Sequence, residues 1–204
     1  MCNRLRTALS YYEYAKSQGE ELVFGWPVND ACTDTFDNHF ESIDGLTFTK
    51  DNRSLPHGEF PHPDHKPDFS LLKPKYETRM LDGPYDAIHI RSSEHWKENR
   101  ANPSKFLKFA KESSRPVWLA TDIFSTQQFF KDMDHVHFWA DIPTTRPTGR
   151  PLSIKGPQRH TSLKHSVIDL FMCVGASNFM GTEFSSFSET INALRDEPGD
   201  LVNG

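Results

Sequence analysis

Apolar and polar residues alternate with two different periods in the first part of the chain. Apolar side chains at helical spacing predict a helix over residues 4–17. The run ELVFGW at residues 21–26 predicts a short strand, and residues 36–48 fit neither pattern clearly. Residues 51–68 hold four prolines and three histidines among charged residues, so we predict a loop there that serves as a domain boundary or hinge.

The second half of the chain alternates between strand and helix patterns. Strands are predicted at residues 86–91, 116–121, 135–139 and 177–181. Helices are predicted to begin at Asn102-Pro103, at Ser125, at Thr161 or Ser162, and at Ser186. This alternation is typical of a parallel sheet with helices on both faces, so we predict an α/β fold with two domains, residues 1–80 and residues 81–204. In such sheets, ligands bind beyond the carboxyl ends of the strands.

The overall charge and the cysteine content exclude several classes of protein. Lys and Arg number 23 against 28 Asp and Glu, so the chain has a net charge of -5 and lacks the global basic field of nucleic-acid-binding proteins. Three cysteines make no disulfide framework, and the reducing cytosol is therefore the default compartment. The sequence has no signal peptide and no apolar stretch long enough to cross a membrane, which favours a soluble enzyme or a trimmed catalytic domain.

The strand predicted at residues 86–91 ends in two side chains that suit a phosphate. In a buried strand Ile88 and Ile90 face one way, while His89 and Arg91 face the other way. Arginine fits a diphosphate because its planar fork can pair with two oxygens at once. The alternative is a structural arginine paired with an acid, beside a histidine that is satisfied in the core.

A serine cluster follows the last predicted strand. Ser186 with Glu189 fits a capping box, and Ser185 and Ser188 lie beside it. The free backbone N–H groups at the start of a helix attract phosphate, and serine hydroxyls add further donors. The alternative is a plain N-cap, which needs one serine and not three.

Two other polar positions are candidates for ligand contacts. Asp169 lies in a predicted helix that is apolar nearly all round, so its carboxylate needs donors. The edge of a guanine offers two adjacent N–H donors, but an internal arginine or a helix N-terminus would serve equally well. At the amino terminus, Asn3 suits an N-cap and Arg4 or Arg6 could reach an anion; a solvated helix start is the alternative.

Read in order, these segments resemble a superfamily of fucosyltransferases. It contains the α-1,2- and α-1,6-fucosyltransferases, the bacterial nodulation fucosyltransferases and the protein O-fucosyltransferases. Its members share a Gly-x-x-Asn-Arg-Leu start, a His-x-Arg motif, an Ala-Thr-Asp motif, and an aspartate-bearing helix followed by Ser-Ser/Thr-Phe-Ser. The matching segments here are residues 1–6, 89–91 and 120–122, and Asp169 with residues 185–188.

The resemblance implies a fold and a reaction. It implies two Rossmann-like halves of the GT-B type that hold the donor in a cleft, with inversion at the anomeric carbon and no metal. The shared start motif follows a β-strand in the family, whereas this chain begins inside that motif at Met1, so we expect a reduced N-terminal half on the acceptor side.

The resemblance also implies roles for individual residues. Arg91 would bind the β-phosphate and stabilise the leaving GDP, and His89 would support the same phosphates or the catalytic base. Asp169 would accept the guanine edge, and Asp122 would lie near the nucleoside or brace the site. The remaining donor-binding residues implied by the resemblance are Ser185, Ser186 and the Phe187 N–H at the phosphates, with Asn3 and Arg4 from the opposite domain.

Other acidic residues and histidines give less specific signals. Glu94 is our candidate for the general base, with Glu98 behind it. The pair Asp132 and Asp134 resembles a metal-binding Asp-x-Asp motif, but we interpret it as surface charge at a helix end. Three histidines in the proline-rich loop could bind zinc or belong to a solvated linker; they are His57, His62 and His65.

The sequence therefore predicts a transferase that moves fucose from GDP-fucose to a hydroxyl of a glycan or a protein, without a cofactor or metal. Two alternatives stay open at this point. One is the same fold with another nucleotide-sugar donor, and the other is a non-catalytic module that binds a nucleotide sugar.

Overall fold

The structure is a computed structural model, and it describes residues 1–29, 32–50, 60–91, 103–122, 124–142 and 161–202. The chain divides into two compact units, Met1–Tyr76 and Glu77–Gly204. This division lies a few residues before the domain boundary predicted at 80/81. The proline-rich loop belongs to the first unit, and its described part packs on the first helix, where the His62 backbone N–H donates to the Ser10 hydroxyl over 2.8 Å.

The first unit combines one long helix with a two-stranded parallel sheet. Helix α1 spans Cys2–Ser17, as the spacing predicts, and strands β1 (Leu22–Gly25) and β2 (Leu46–Thr49) pair in parallel. Short 3₁₀ turns at Phe36–Asn38 and Phe69–Leu71 complete its regular structure among the described residues. Strand β2 lies in the segment that the sequence left undecided. Its Phe48 ring stacks on the buried Phe36 ring at 3.9 Å between centroids.

The second unit contains a five-stranded sheet in the order β5-β4-β3-β6-β7, with every neighbouring pair parallel. Its strands are β3 (Asp86–Ile90), β4 (Val117–Thr121), β5 (Val136–His137), β6 (Phe179–Thr182) and β7 (Asp200–Val202). Its helices are α2 (Pro103–Glu112), α3 (Phe124–Gln128), α4 (Leu163–Val174) and α5 (Ser186–Leu194). The predicted alternation of strands and helices is confirmed, whereas β7 was not predicted from the sequence.

The two faces of this sheet are chemically different. On one face, side chains of β3 and β4 pack with residues of α2 and of the segment around β5 in a fully apolar cluster, whose buried members are Ile88, Ile90, Phe106, Ala110, Val117, Leu119, Phe130 and Val136. On the other face, His89 bonds to a serine of α5. The predicted alternation of Ile88 and Ile90 against His89 is therefore confirmed. Each fully buried Ile, Leu or Phe contributes about 1.5–3 kcal/mol, which holds the strands in register.

The predicted helix N-cap is confirmed at α4, whereas those at α3 and α5 are wrong. Ser162 caps α4, where its hydroxyl accepts the His165 backbone N–H over 3.1 Å. The expected cap at Ser125 is wrong, because α3 begins at Phe124. The capping box at Ser186 is also wrong by one position. Ser185 has the extended backbone of an N-cap, φ -92° and ψ 117°, so the N-cap is Ser185 and Ser186 is the first helical residue.

No helix among the described residues is both long and apolar enough to span a bilayer.

The guanidinium of Arg195 bonds to the end of α4 and to the turn that leads from α4 to β6. It donates to the carbonyl oxygens of Cys173, Val174, Ala176 and Ser177 over 2.7–3.3 Å. The last carbonyls of a helix have no partner within the helix, and a cation there also offsets the negative end of its dipole. Arg195 thus fixes the end of the helix that carries Asp169.

We expect Arg195→Ala to lower the free energy of unfolding by about 2 kcal/mol, because several carbonyl oxygens lose a charged donor. Urea unfolding followed by circular dichroism measures this loss. Arg195→Lys, which keeps the charge but not the planar fork, should recover only part of it. An alanine variant as stable as the parent would contradict this account.

Candidate functional site

A small pocket opens in the second unit at the carboxyl edge of the sheet. It lies where α/β sheets bind ligands, beyond the ends of β3 and β4. The residues that line it are His89, Arg91, Thr121, Asp122, Thr161, Ser166, Asp169 and Phe187. Five of the residues predicted from the sequence for donor binding are thereby brought together: His89, Arg91, Asp122, Asp169 and Phe187.

His89 connects the central strand to α5. Its Nδ1 lies 2.7 Å from the Ser188 hydroxyl oxygen, and its ring stacks on Phe187 with 4.6 Å between centroids. This close approach of α5 to the sheet depends on Gly181, since a Cβ there would meet the Ser188 hydroxyl oxygen at 2.7 Å. The third serine of the cluster therefore positions the histidine, a role that the sequence did not indicate.

Arg91 enters the pocket directly after β3. Its backbone N–H donates to the Thr182 hydroxyl over 2.9 Å. Its Nε lies 4.0 Å from a carboxylate oxygen of Asp122, too far for a hydrogen bond, and this buried Nε has no hydrogen-bond partner among the described residues. The alternative interpretation of Arg91 was a structural arginine paired with an acid. Over the described stretches of the chain, the structure shows only this long contact with Asp122 and no close ion pair. The guanidinium keeps donor capacity for an anion.

Two buried hydroxyls near the pocket also have no hydrogen-bond partner within the described ranges. They belong to Thr121, which lines the pocket at the end of β4, and to Ser185, the N-cap of α5. Each unsatisfied buried group costs about 1–3 kcal/mol. Such costs are accepted where a ligand supplies the missing partner.

Phe184 adds backbone strain next to this N-cap. Its φ of 55° lies in the left-handed region, which is costly for a bulky residue, and its ring is 66% exposed. Left-handed backbone at a residue other than glycine costs about 1–3 kcal/mol and clusters at functional sites. Phe184 forms the turn that delivers Ser185 to the start of α5. Neither the strain nor the exposure could be foreseen from sequence.

Asp169 lies in the wall of the pocket with its carboxylate held from behind. Its Oδ1 accepts the indole N–H of Trp118 over 3.1 Å, and its Oδ2 lies 3.4 Å from Nε2 of His165. The internal donor is thus a tryptophan, and not the arginine or helix terminus considered from sequence. Burial raises the pKa of Asp169 well above its usual range, the Trp118 hydrogen bond opposes this, and the negative charge of Asp122 adds to it.

The neighbouring His165 is neutral at physiological pH. Burial lowers the pKa of His165 to about 4, so its contact with Asp169 is not an ion pair near neutrality. The imidazole also packs edge-on against Trp139, with 5.3 Å between ring centroids. His165 therefore supports the carboxylate as a neutral polar group.

Sequence reasoning missed three hydroxyl residues of the pocket wall. Thr161 and Ser166 are buried around the start of α4, with their hydroxyl oxygens 3.5 Å apart, and Thr121 ends β4. Ser166 precedes Asp169 by about one helical turn, so the helical spacing was a usable signal. Thr121 lies directly before Asp122 at the end of a predicted strand, which was a second signal.

The other predicted site residues lie outside the lining of this pocket or outside the described residues. Ser185 and Ser186 start α5 but are not among the lining residues given above. Asn3 and Arg4 belong to the first unit. Met1 is the N-cap of α1, so the expected cap at Asn3 is wrong. The candidate base Glu94 falls outside the described part of the chain, as does Glu98.

Arg4 is buried within the first unit. Its guanidinium donates to the Pro27 carbonyl oxygen and lies over the Trp26 ring at 5.7 Å from the centroid. Within the first unit, the structure therefore gives Arg4 a packing role.

The Asp-x-Asp pair and the histidines of the proline-rich loop were the candidates for metal binding. Across the described ranges, no three His, Cys, Asp or Glu side chains are arranged to hold a metal ion. Asp132 and Asp134 are exposed in a turn, in agreement with their interpretation as surface charge. The His62 ring stacks on Tyr14 at 4.6 Å and contacts His65 at 4.9 Å between centroids, so these two histidines pack on α1; His57 falls outside the described residues.

The fold is similar to that of solved fucosyltransferases. A crystal structure of NodZ α-1,6-fucosyltransferase soaked with GDP-fucose superposes with a TM-score of 0.54 at 15% sequence identity, over 92% of this chain and 87% of that chain. Fucosyltransferase NodZ from Bradyrhizobium gives a TM-score of 0.55 at the same identity and coverage. No protein-family model matches the sequence, and no curated protein matches it. The chain thus has the α/β architecture of two Rossmann-like halves, of GT-B type, with a reduced N-terminal half.

We expect Asp169→Asn to stabilise the protein at pH 7 while it weakens ligand binding in the pocket. Folding raises the pKa of Asp169, so its protonated carboxyl contributes to the stability of the fold. This contribution is complete at a pH below the pKa that Asp169 has in the unfolded chain, which is about 4. The contribution is lost as the pH rises from the pKa of the unfolded chain through the higher pKa of the folded protein. Asparagine stays neutral and its Oδ1 can still accept the Trp118 N–H.

Thermal unfolding between pH 4 and pH 8 tests this expectation. The parent protein should lose stability relative to Asp169→Asn as the pH rises. Equal midpoints across that range would contradict the raised pKa of this carboxyl.

Proposed function

We propose that the chain is an inverting, metal-independent glycosyltransferase that moves fucose from GDP-fucose to a hydroxyl of a glycan or a protein. One observation carries the proposal. A pocket at the carboxyl edge of a parallel sheet combines the first turn of a helix, two carboxylates, and an arginine whose Nε has no hydrogen-bond partner in the part of the chain that the structure describes. The similarity of the fold to a fucosyltransferase soaked with GDP-fucose supports this choice of donor.

The cationic side of the pocket suits the diphosphate of the donor. Arg91 provides a planar set of donors, and α5 contributes the positive end of its dipole close to Phe187. During transfer, the acceptor oxygen attacks the anomeric carbon as the bond to the β-phosphate oxygen breaks. Negative charge then grows on the departing GDP. Donors fixed in advance at that position lower the barrier.

The acidic side of the pocket suits the nucleobase. Asp169 and Asp122 provide acceptors, and guanine offers N–H donors on one edge. Hydroxyls of Thr121, Thr161 and Ser166 add groups that can either donate or accept. The pocket thus combines an arginine with carboxylates and hydroxyls, and GDP, with an anionic diphosphate and a base that offers N–H donors, has matching groups. Glu94 stays our prediction for the base that takes the acceptor proton.

Calorimetric titration with GDP and GDP-fucose, followed by a donor-hydrolysis assay, tests the function. Binding of both compounds with slow hydrolysis of GDP-fucose supports the transferase. Tight binding without turnover on any acceptor supports a non-catalytic module. Tighter binding of a different nucleotide sugar would show that a sugar other than fucose is transferred. Failure of GDP to bind would overturn the proposal.

We expect Arg91→Ala to reduce transfer about 10²–10³-fold, because the departing diphosphate loses its charged donor. Circular dichroism should report an intact fold. Arg79→Ala is the matched control, since Arg79 is an exposed arginine of the same unit whose guanidinium donates to the carbonyl oxygens of Leu81 and Gly83. Full activity in folded Arg91→Ala would exclude this role.

We expect the rate of transfer to be unchanged by EDTA, because charge on the leaving group is stabilised by protein donors in this proposal. The assay compares initial rates before and after chelation and after addition of Mn²⁺. A rate that falls with EDTA and returns with Mn²⁺ would assign the chain to a metal-dependent class of transferase.

A further inference from the structure

The pocket carboxylate of Asp169 depends on a residue that lies behind the pocket. Trp118, the second residue of β4, is 1% exposed, and its indole N–H donates to Oδ1 of Asp169 over 3.1 Å. Asp169 lines the pocket, whereas Trp118 is not among the lining residues named above. From the sequence, Trp118 was predicted only to lie in the strand over residues 116–121. A buried tryptophan nevertheless needs a partner for its N–H.

The carboxylate is supported on a second side as well. His165, one helical turn earlier on α4, places its Nε2 3.4 Å from Oδ2 of Asp169. Together, Trp118 and His165 restrict the rotation of the carboxylate and keep its plane fixed relative to the pocket. Binding groups that are locked by supporting contacts recognise a ligand more precisely than groups that must first be ordered.

Resting on the proposed function, we infer that Trp118 is a positioning residue for donor binding, whose indole N–H holds the Asp169 carboxylate as an ionised acceptor for the N–H groups of the nucleobase. An ionised carboxylate accepts at both oxygens, whereas a protonated carboxyl presents an O–H donor that faces the donors of the base. Loss of the indole N–H would favour the protonated form. Trp118 therefore acts on the ligand through Asp169 and does not touch it.

The charges around Asp169 define the direction of a pH effect. The titratable and charged groups near it are His165 and Cys173 on α4, Asp122 after β4, and His89 and Arg91 on the β3 side of the pocket. Burial raises the pKa of Asp169, and the hydrogen bond from Trp118 lowers it. Binding that requires the ionised carboxylate rises with pH, and removal of the indole N–H moves this rise to higher pH.

The test is Trp118→Phe in the full chain, with GDP binding measured by calorimetry between pH 5 and pH 8. We expect the affinity at neutral pH to fall about tenfold, because a charge-assisted hydrogen bond is lost. We also expect the midpoint of the pH profile to move upward. A merely structural tryptophan would leave that midpoint unchanged, so unchanged affinity or an unchanged midpoint overturns the inference.

Two comparisons separate positioning from a general loss of packing. Tyr85→Phe removes another buried donor to α4, the 2.8 Å hydrogen bond to the Met172 carbonyl oxygen, and it should leave both GDP affinity and the pH midpoint unchanged. In an Asp169→Asn background, Trp118→Phe should cause little further loss of affinity. A tenfold loss in that background would overturn the inference.

A measurement on the unaltered tryptophan covers the case in which Trp118→Phe does not fold. In ¹⁵N-labelled protein, which has four indole N–H signals, the signal displaced by Asp169→Asn should also move on addition of GDP. If GDP binds and that signal stays in place, the positioning role fails while the proposed function stands. If GDP does not bind the parent protein, the proposed function and this inference fail together.

Discussion

The hydrogen bond between His89 and Ser188 joins residues that lie 99 positions apart and fixes α5 against the central strand. It forms because Gly181 of β6 leaves room for the serine at a distance that any Cβ would prevent. The first turn of α5 is consequently held at the carboxyl end of β3. Without this close approach, Phe187 could not share a pocket with Arg91.

Stability and function are divided between the two faces of the five-stranded sheet. One face is an apolar core around Ile88 and Leu119, whose side chains stabilise the sheet by burial. The features that cost stability lie on the other face and at the carboxyl edge. They are an Arg91 Nε with no hydrogen-bond partner among the described residues, the left-handed backbone of Phe184, and the buried Asp169 carboxylate with a raised pKa. An apolar core that specifies the strands independently of the site permits these costs.

The similarity to NodZ at 15% identity illustrates the same division. A fold is maintained by the pattern of buried apolar positions, and many different residues satisfy that pattern. Recognition of a ligand depends instead on a few side chains at strand ends and helix starts. Similarity of the fold at this level of identity therefore describes the scaffold, and the chemistry has to be argued from Arg91, Asp122, Asp169 and their surroundings.

The side-chain alternation of β3 and the N-cap of α4 depend on the local sequence alone. The period of two in Ile88–Arg91 placed His89 opposite the apolar core, and Ser162 marked the start of α4. These features follow from interactions within a few residues along the chain, which the sequence displays directly.

Only the tertiary structure decided which distant groups meet. The indole of Trp118 reaches a carboxylate 51 positions away, and Thr161 and Ser166 become part of the pocket because α4 packs beside β4. Strand β7 has three residues, too few for a recognisable pattern, and it exists because the edge of β6 offers backbone partners. Such pairings depend on the packing of whole elements, and no local pattern encodes them.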